Sequence, residues 1–177
     1  MKRLLLCVAL LPLLPTEVMA ADPLPSVRLL CSFDVDQMYT KLKAQPLLVN
    51  LNKDQYGSPI VLRVTNSTVP TATGMATGLA SAIWSGGTLG LLPIVENRDL
   101  VITYDLFVNE TLLATYSYRD NFTLAKNIYS KDKTDGLGEA GLAWAQQTAE
   151  QFSTEAAADP RIVQLIDEYR YYFGSQK

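Results

Sequence analysis

The chain has 177 residues, of which 48% are hydrophobic and 19% charged, and its formal net charge is −3. This length and apolar content are enough for one domain with a hydrophobic core. Because the chain is weakly acidic and has no basic tract, its composition does not favour nucleic acid as a partner. Histidine is absent from the whole sequence. Its absence removes the commonest general base near neutral pH and the commonest metal ligand.

Residues 1–20 have the features of an export signal. Two basic residues open the segment, an apolar core runs from Leu4 to Leu14, and short side chains precede the expected cleavage site at Ala20. We therefore expect a mature domain of residues 21–177 that is periplasmic or secreted. Removing the three charged residues of the signal from the 15 basic and 18 acidic residues leaves 13 and 17, so the exported domain is acidic.

The two cysteines, Cys7 and Cys31, do not indicate lipidation. A bulky leucine directly precedes Cys7, and the residues before Cys31 fit a bacterial lipidation site even less well. The sequence therefore predicts a protein that is not lipidated. Because Cys31 alone remains in the mature domain, no internal disulfide can form. Its place in an apolar strand favours an inert buried thiol over a reactive one.

The first third of the mature chain is predicted to form strands around one short helix. Apolar density and alternation predict three strands, at residues 27–33, 47–51 and 60–65. Asp34 or Asp36 suits the N-cap of a helix that ends before Pro46.

The clearest local pattern is a β-hairpin, followed by two helices. Leu100 to Val108 and Thr111 to Tyr118 alternate in polarity around Asn109-Glu110. Helical spacing then covers residues 142–152, and Asp159-Pro160 opens a last helix that ends before Gly174. The predicted core face of this last helix is Ile162, Leu165, Ile166, Tyr169 and Phe173. We predict one α+β domain, with a four- or five-stranded, largely antiparallel sheet and helices packed on one face.

No Asp, Glu, Lys or Arg occurs between Arg63 and Glu96. Inside this gap small residues recur every fourth position, at Gly74, Gly78, Ala82, Gly86 and Gly90. Such a ridge lets another backbone approach a helix closely. We expect a helix over residues 75–84, a turn at 85–87 and an extended segment at 89–95. The favoured interpretation of residues 74–95 is a buried core element; the alternatives are a surface that contacts membrane or a partner, and a transmembrane helix.

A resemblance to known proteins lies in this region. The string Ser85-Gly86-Gly87-Thr88-Leu89-Gly90-Leu91-Leu92-Pro93, followed by a strand pair rich in Tyr and Leu, resembles an S-G-x-T-L-G-L-L-P segment of uncharacterised bacterial envelope proteins, many of them small lipoproteins. The similarity covers residues 74–118. It implies an α/β domain on the periplasmic side, without an agreed activity and without catalytic residues to transfer. The chain departs from the lipoprotein members because it lacks a lipidation cysteine.

One arrangement offers a hypothesis of catalysis. Asp34 and Asp36 follow an apolar strand, as in the first motif of haloacid-dehalogenase-type phosphotransferases, which that short stretch resembles. There one Asp attacks phosphorus, the other protonates the leaving group, and Mg²⁺ balances the charge. No later acidic pair supplies the remaining Mg²⁺ ligands; Asp132 and Asp135 are the nearest substitutes. A helix cap is the favoured role for Asp34 or Asp36, and no cofactor or metal is predicted.

The sequence therefore favours a non-enzymatic exported protein that binds another envelope protein, as an accessory, assembly or inhibitor module. An immunity protein against an exported toxin is one concrete form. The alternatives are a membrane-associated envelope protein that uses residues 74–95 and a Mg²⁺-dependent phosphatase that uses Asp34 and Asp36. Tyrosine is enriched at interfaces, and Tyr171 falls off the apolar stripe of the last helix. The candidate contacts with a partner or a membrane are Trp84, Leu89, Leu91, Leu92 and Tyr171.

Overall fold

The structure, a computed structural model, describes residues 22–88, 92–126 and 137–174. Its elements are β1 (Val27–Cys31), α1 (Val35–Lys43), a 3-10 helix (Pro46–Leu48), β2 (Leu51–Asn52), β3 (Ile60–Pro70), α2 (Ala72–Gly87), β4 (Ile94–Val108), β5 (Thr111–Lys126), α3 (Gly138–Ala158) and α4 (Pro160–Phe173). The predicted α+β class is confirmed. The predicted export signal lies outside the described residues.

The described strands form one mixed sheet in the order β2-β1-β3-β4-β5. β1 lies between β2 and β3 and runs parallel to both. β3, β4 and β5 are antiparallel, and the β3–β4 register runs from Ile60 opposite Val108 to Pro70 opposite Arg98. The longest pairings are thus antiparallel, as the sequence predicts.

The hydrophobic core lies between one face of this sheet and helices α1 and α3. Tyr104 of β4 is at its centre, where its ring stacks on Phe152 with centroids 4.5 Å apart. Its hydroxyl is hydrogen-bonded to Thr148 Oγ1 at 2.8 Å and lies 3.9 Å from Met38 Sδ. Burial raises the pKa of the Tyr104 phenol far above its ordinary value, so the group is neutral. The aromatic pair joins both helices to the sheet.

The hairpin is longer than its apolar alternation predicts. β4 and β5 contain 15 and 16 residues and extend the predicted pair by several positions at the open end. In this extension polar side chains interrupt the apolar ones: Asp99 is 3.3 Å from Arg119 Nε and accepts a hydrogen bond from Asn121 Nδ2 at 2.7 Å. At the turn, Asn109 and Glu110 both have positive φ, as a two-residue hairpin loop requires.

The strand predicted at residues 47–51 is wrong. Pro46 starts the 3-10 helix, where its fixed φ and missing N–H are tolerated, and Leu47 and Leu48 of this turn are buried in the core. Sheet pairing begins at Leu51, in the two-residue strand β2. The apolar run at residues 47–51 therefore indicates buried residues, and here the 3-10 helix buries them as well as a strand would.

Cys31 lies at the end of β1 and is half-buried. Its Sγ is 2.8 Å from the carbonyl oxygen of Phe33, to which it donates. The thiol is therefore less enclosed than the sequence predicts.

Among the described residues, the first part of α4 packs against the hydrophobic core, and its last turn is exposed. Ile162 and Ile166 are buried, in agreement with the predicted core face. Tyr169 and Phe173, which the same pattern assigns to the core, are 43% and 65% exposed, so that part of the prediction is wrong. The last turn of α4 therefore extends beyond the described part of the hydrophobic core.

Candidate functional site

Helix α2 lies along an edge of β4 rather than on a face of the sheet. Where β3 ends at Pro70, α2 takes over the backbone groups of β4 that β3 no longer pairs. The Thr71 N–H and hydroxyl both donate to the Asn97 carbonyl, at 3.5 and 3.1 Å. Ser81 Oγ donates to the Val95 carbonyl at 3.1 Å and accepts from the Val95 N–H at 3.0 Å. Side-chain hydroxyls thus close an edge that would otherwise be open.

The small residues of α2 make this close approach possible. A Cβ at Gly74 would lie 1.8 Å from the carbonyl oxygen of Asn97, and one at Gly78 would lie 3.3 Å from Glu96 Cγ. At Gly86 a Cβ would meet no described atom within 4 Å. The predicted ridge is therefore used against β4 at Gly74 and Gly78, and not at Gly86.

The turn predicted at residues 85–87 is wrong, because α2 continues through them. Thr71 caps the helix start by accepting from the Gly74 N–H. At the other end the Thr88 N–H reaches the carbonyls of Trp84 and Ser85, each at 3.2 Å. Glycine in a helix costs only about 1 kcal/mol, which these end contacts and the packing on β4 offset.

The large side chains of α2 are exposed to solvent. Their exposed fractions are 57% for Met75, 70% for Leu79, 75% for Ile83 and 70% for Trp84, and we call these four residues the α2 outer face. The favoured interpretation of this segment as a buried core element is therefore wrong. The helical period that directs the small residues to β4 directs the large residues to solvent.

The surroundings of the α2 outer face are apolar and electrically neutral. A groove of about 430 Å³ runs between the helix and β4, with Met75 and Leu79 on its helix side. The charged side chains that line it, Glu96 and Arg98, form an ion pair with each other. Within the described ranges, no helix combines the length and the apolar composition needed to cross a bilayer.

The candidate contact residues fall on two surfaces. Trp84 belongs to the α2 outer face, and Leu92 is 45% exposed, with its N–H donating to Thr88 Oγ1 just past the helix end. Tyr171 is 77% exposed on α4. Leu89 and Leu91 lie outside the described residues. Sequence reasoning missed Met75, Leu79 and Ile83 as exposed residues, although their four-residue spacing on a face beside the glycine ridge is the signal that could have identified them.

The two aspartates of the phosphotransferase hypothesis have structural roles. Asp34 is the N-cap of α1, and its carboxylate accepts from the Gln37 N–H. Asp36 is exposed and binds Lys53 Nζ at 2.6 Å, which lowers the pKa of Asp36. The part of the chain that the structure describes contains no group of three or more His, Cys, Asp or Glu able to hold a metal ion. The nearest substitute ligands, Asp132 and Asp135, lie outside it.

A second groove, of about 760 Å³, lies on the sheet face opposite α1 and α3. Two arginines line it, and each is stacked on an aromatic ring: Arg28 on Tyr56 at 4.4 Å and Arg63 on Phe107 at 4.6 Å. Arg28 Nε is buried and has no hydrogen-bond partner among the described atoms. Ring stacking fixes both guanidinium planes on this open face.

Comparison with known proteins identifies no family for this chain. No family model and no curated protein matches it. Among solved structures it is similar to a minor lipoprotein from Acinetobacter baumannii, with 15% identity, a TM-score of 0.34, and coverage of 84% of this chain and 96% of that one. It is also similar to the rare lipoprotein B from Shewanella oneidensis, with 10% identity, a TM-score of 0.29, and coverage of 84% and 98%. At these scores neither neighbour assigns a function, and the absence of lipidation stays a prediction.

Proposed function

We propose that this chain is a non-enzymatic exported protein that binds another envelope protein through the α2 outer face, as an accessory, assembly or inhibitor module. One observation carries the proposal: a helix without a charged residue exposes four large apolar side chains, of which Met75, Leu79 and Ile83 lie on one side. Single exposed apolar residues are ordinary, whereas a contiguous apolar patch marks an interaction site. A helix that is apolar around most of its circumference is normally covered by other structure.

The chemistry of α2 favours a protein over a lipid surface as the occupant. Helices that lie in a membrane interface carry Lys or Arg on their polar side and are drawn to anionic lipids. α2 has neither residue. Met75, Leu79 and Ile83 are spaced by four over about 12 Å of helix, the pattern of anchors that enter a groove on a partner. Trp84 adds an aromatic side chain of the kind that dominates binding interfaces.

Photo-crosslinking in intact cells tests the proposal. A photoreactive residue replaces Leu79 in one variant and Ile83 in a second, and a matched control carries it at Thr40, which is exposed on α1. We expect both α2 variants to form an adduct with the same protein and the control to form none. Adducts from all three positions alike, or different proteins at Leu79 and Ile83, would contradict a defined partner.

Two further experiments separate the alternative functions. Retention of the mature protein on washed membranes, together with lipid-only adducts at Leu79 and Ile83, would replace the binding proposal with the membrane-associated alternative. For the phosphatase, the unmodified protein is assayed on a generic phosphate ester beside an Asp34→Asn variant. We expect no Mg²⁺-dependent turnover from either protein, because both carboxylates already serve local structure.

A further inference from the structure

The last turn of α4 exposes four aromatic side chains within five residues. Tyr169, Tyr171, Tyr172 and Phe173 are exposed by 43, 77, 72 and 65%, and we call residues 169–173 the aromatic turn. An exposed helix end is ordinarily polar, and large aromatic side chains dominate the energy of the contacts they make. The aromatic turn therefore needs an explanation that the core does not supply.

The rings surround the helix end instead of forming one face. Tyr169 and Phe173 lie on one side with ring centroids 4.8 Å apart, and Tyr171 and Tyr172 lie on another with centroids 5.1 Å apart. At 100° per residue these pairs diverge around the helix axis. A groove on a partner protein covers one side of a helix. A lipid headgroup region can receive the helix end from all sides, and Tyr is enriched there.

The first described residue of the chain, Asp22, lies beside this turn. Arg170 forms an ion pair with Asp22, the first described residue. The sequence before Asp22 contains the apolar stretch from Leu4 to Leu14, which the export signal places in a membrane. The residues from Leu14 to Asp22 can span at most about 28 Å when extended. Before cleavage, the predicted export signal would hold the aromatic turn within about that distance of a bilayer.

The aromatic turn and α2 lie toward opposite ends of the sheet. Asp22 leads into β1, which starts at Val27 opposite Ile60, the first residue of β3. α2 begins just after Pro70, the last residue of β3, about 33 Å further along the strand. A bilayer at the Ile60 end thus leaves the α2 outer face free for a protein partner.

We propose that the aromatic turn of α4 inserts into the interfacial region of a lipid bilayer. This contact orients the domain so that α2 lies away from the bilayer. The inference does not rest on the binding role of α2. Arg170 lies at headgroup level beside the rings, a common arrangement at membrane-facing helix ends. The contact requires no lipid charge, because the rings supply the buried area.

Vesicle flotation of the mature chain, residues 21–177, tests this proposal. We expect the protein to float with phosphatidylethanolamine–phosphatidylglycerol vesicles and with uncharged phosphatidylcholine vesicles. A triple variant, Tyr171→Ser with Tyr172→Ser and Phe173→Ser, should lower the vesicle-bound fraction by at least about tenfold. Since these side chains are exposed, the triple variant should keep its unfolding transition. The matched control, Leu79→Ser with Ile83→Ser, should float like the unmodified protein.

A fluorescence measurement locates the contact. Tyr171→Trp is made in a Trp84→Phe background, so that Trp144 is the other indole. We expect a blue shift on adding vesicles and quenching by brominated lipid, which the half-buried Trp144 alone does not show. The proposal is overturned if the unmodified protein does not float, or if the α2 pair abolishes flotation while the α4 triple does not. Unchanged flotation of the triple variant would also overturn it. None of these results changes the crosslinks expected at Leu79 and Ile83, which test the binding proposal separately.

Discussion

Helices α2 and α3 are both rich in small residues and both pack against the hairpin strands, yet α3 buries its large side chain in the core and α2 exposes its large side chains. α3 buries Ala145, Ala149 and Phe152 together in the core. α2 buries Gly74 and Ser85 and exposes its large apolar residues. In α3 the small and large residues share one face, whereas in α2 they occupy different faces. The placement of the large residues relative to the small ones decides whether such a helix completes a core or offers a surface.

The largest effect of a single substitution is expected in α3. Phe152→Ala removes the ring that stacks on Tyr104 and should lower the free energy of unfolding by about 4 kcal/mol. Denaturant unfolding followed by circular dichroism measures it. A loss below about 1 kcal/mol would mean that α3 is no more part of the core than α2 is.

The next effect tests the contact between α2 and β4. Gly74→Ala places a methyl group against the Asn97 carbonyl and should destabilise the protein by about 2 kcal/mol, with faster proteolysis within α2. The matched control is Gly86→Ala, in the same helix, where the methyl group is unobstructed. It should leave the protein unchanged or stabilise it by up to about 1 kcal/mol. Equal effects at both positions would show that α2 does not pack on β4 through this ridge.

A smaller, pH-dependent effect is expected on the α3 side, where Asp159 caps α4. Its carboxylate accepts hydrogen bonds from the Arg161 side chain, from the Tyr116 hydroxyl at 2.7 Å and from the Arg161 N–H at 2.9 Å, and these lower the pKa of Asp159 well below 3.8. Asp159→Ala should cost about 1 to 2 kcal/mol at pH 7.

The pH dependence of that cost follows from the direction of the shift. Because the pKa of Asp159 is lower in the folded state, its contribution is complete above pH 4 and is lost as the pH falls toward the folded value. Unfolding curves of Asp159→Ala and the unmodified protein should therefore converge on going from pH 5 to pH 2. A constant difference over that range would exclude the charged form of Asp159 as the source.

The smallest effect on stability is expected at the α2 outer face. Ile83→Ala should change the free energy of unfolding by less than about 0.5 kcal/mol, because the side chain is 75% exposed. The same substitution should weaken formation of the adduct captured from position 79. A loss of 2 kcal/mol or more would show that Ile83 packs within the chain itself.

The sequence correctly predicted the elements whose residue pattern fits one kind of structure alone. The central hairpin, an N-cap at Asp34 or Asp36, of which the structure uses Asp34, and the opening of α4 at Asp159-Pro160 follow from alternation and N-cap chemistry. The open end of the hairpin was missed because polar cross-strand pairs, such as Asp99 with Arg119, interrupt the apolar alternation there.

The candidate site was harder to predict because hydrophobicity alone does not distinguish a buried face from an exposed one. The spacing of Gly74 and Gly78 correctly predicted a close backbone approach, but nothing in the sequence says that β4 is the element against which α2 packs. Likewise, Tyr169 and Phe173 continue the apolar stripe of α4 beyond the residues that cover it. Both errors concern where packing stops, which depends on the length of neighbouring elements.

Cysteine labelling at position 83 tests most directly whether the α2 outer face is covered in the envelope. An Ile83→Cys variant in a Cys31→Ala background is treated with a membrane-impermeant maleimide, once purified and once in opened cells, beside a Thr40→Cys control. We expect position 83 to react at least about tenfold more slowly in the envelope than in the purified protein, and position 40 to react equally in both. We also expect the protection of position 83 to persist after mild detergent removes the lipid. Equal reactivity of position 83 in both settings would contradict the account.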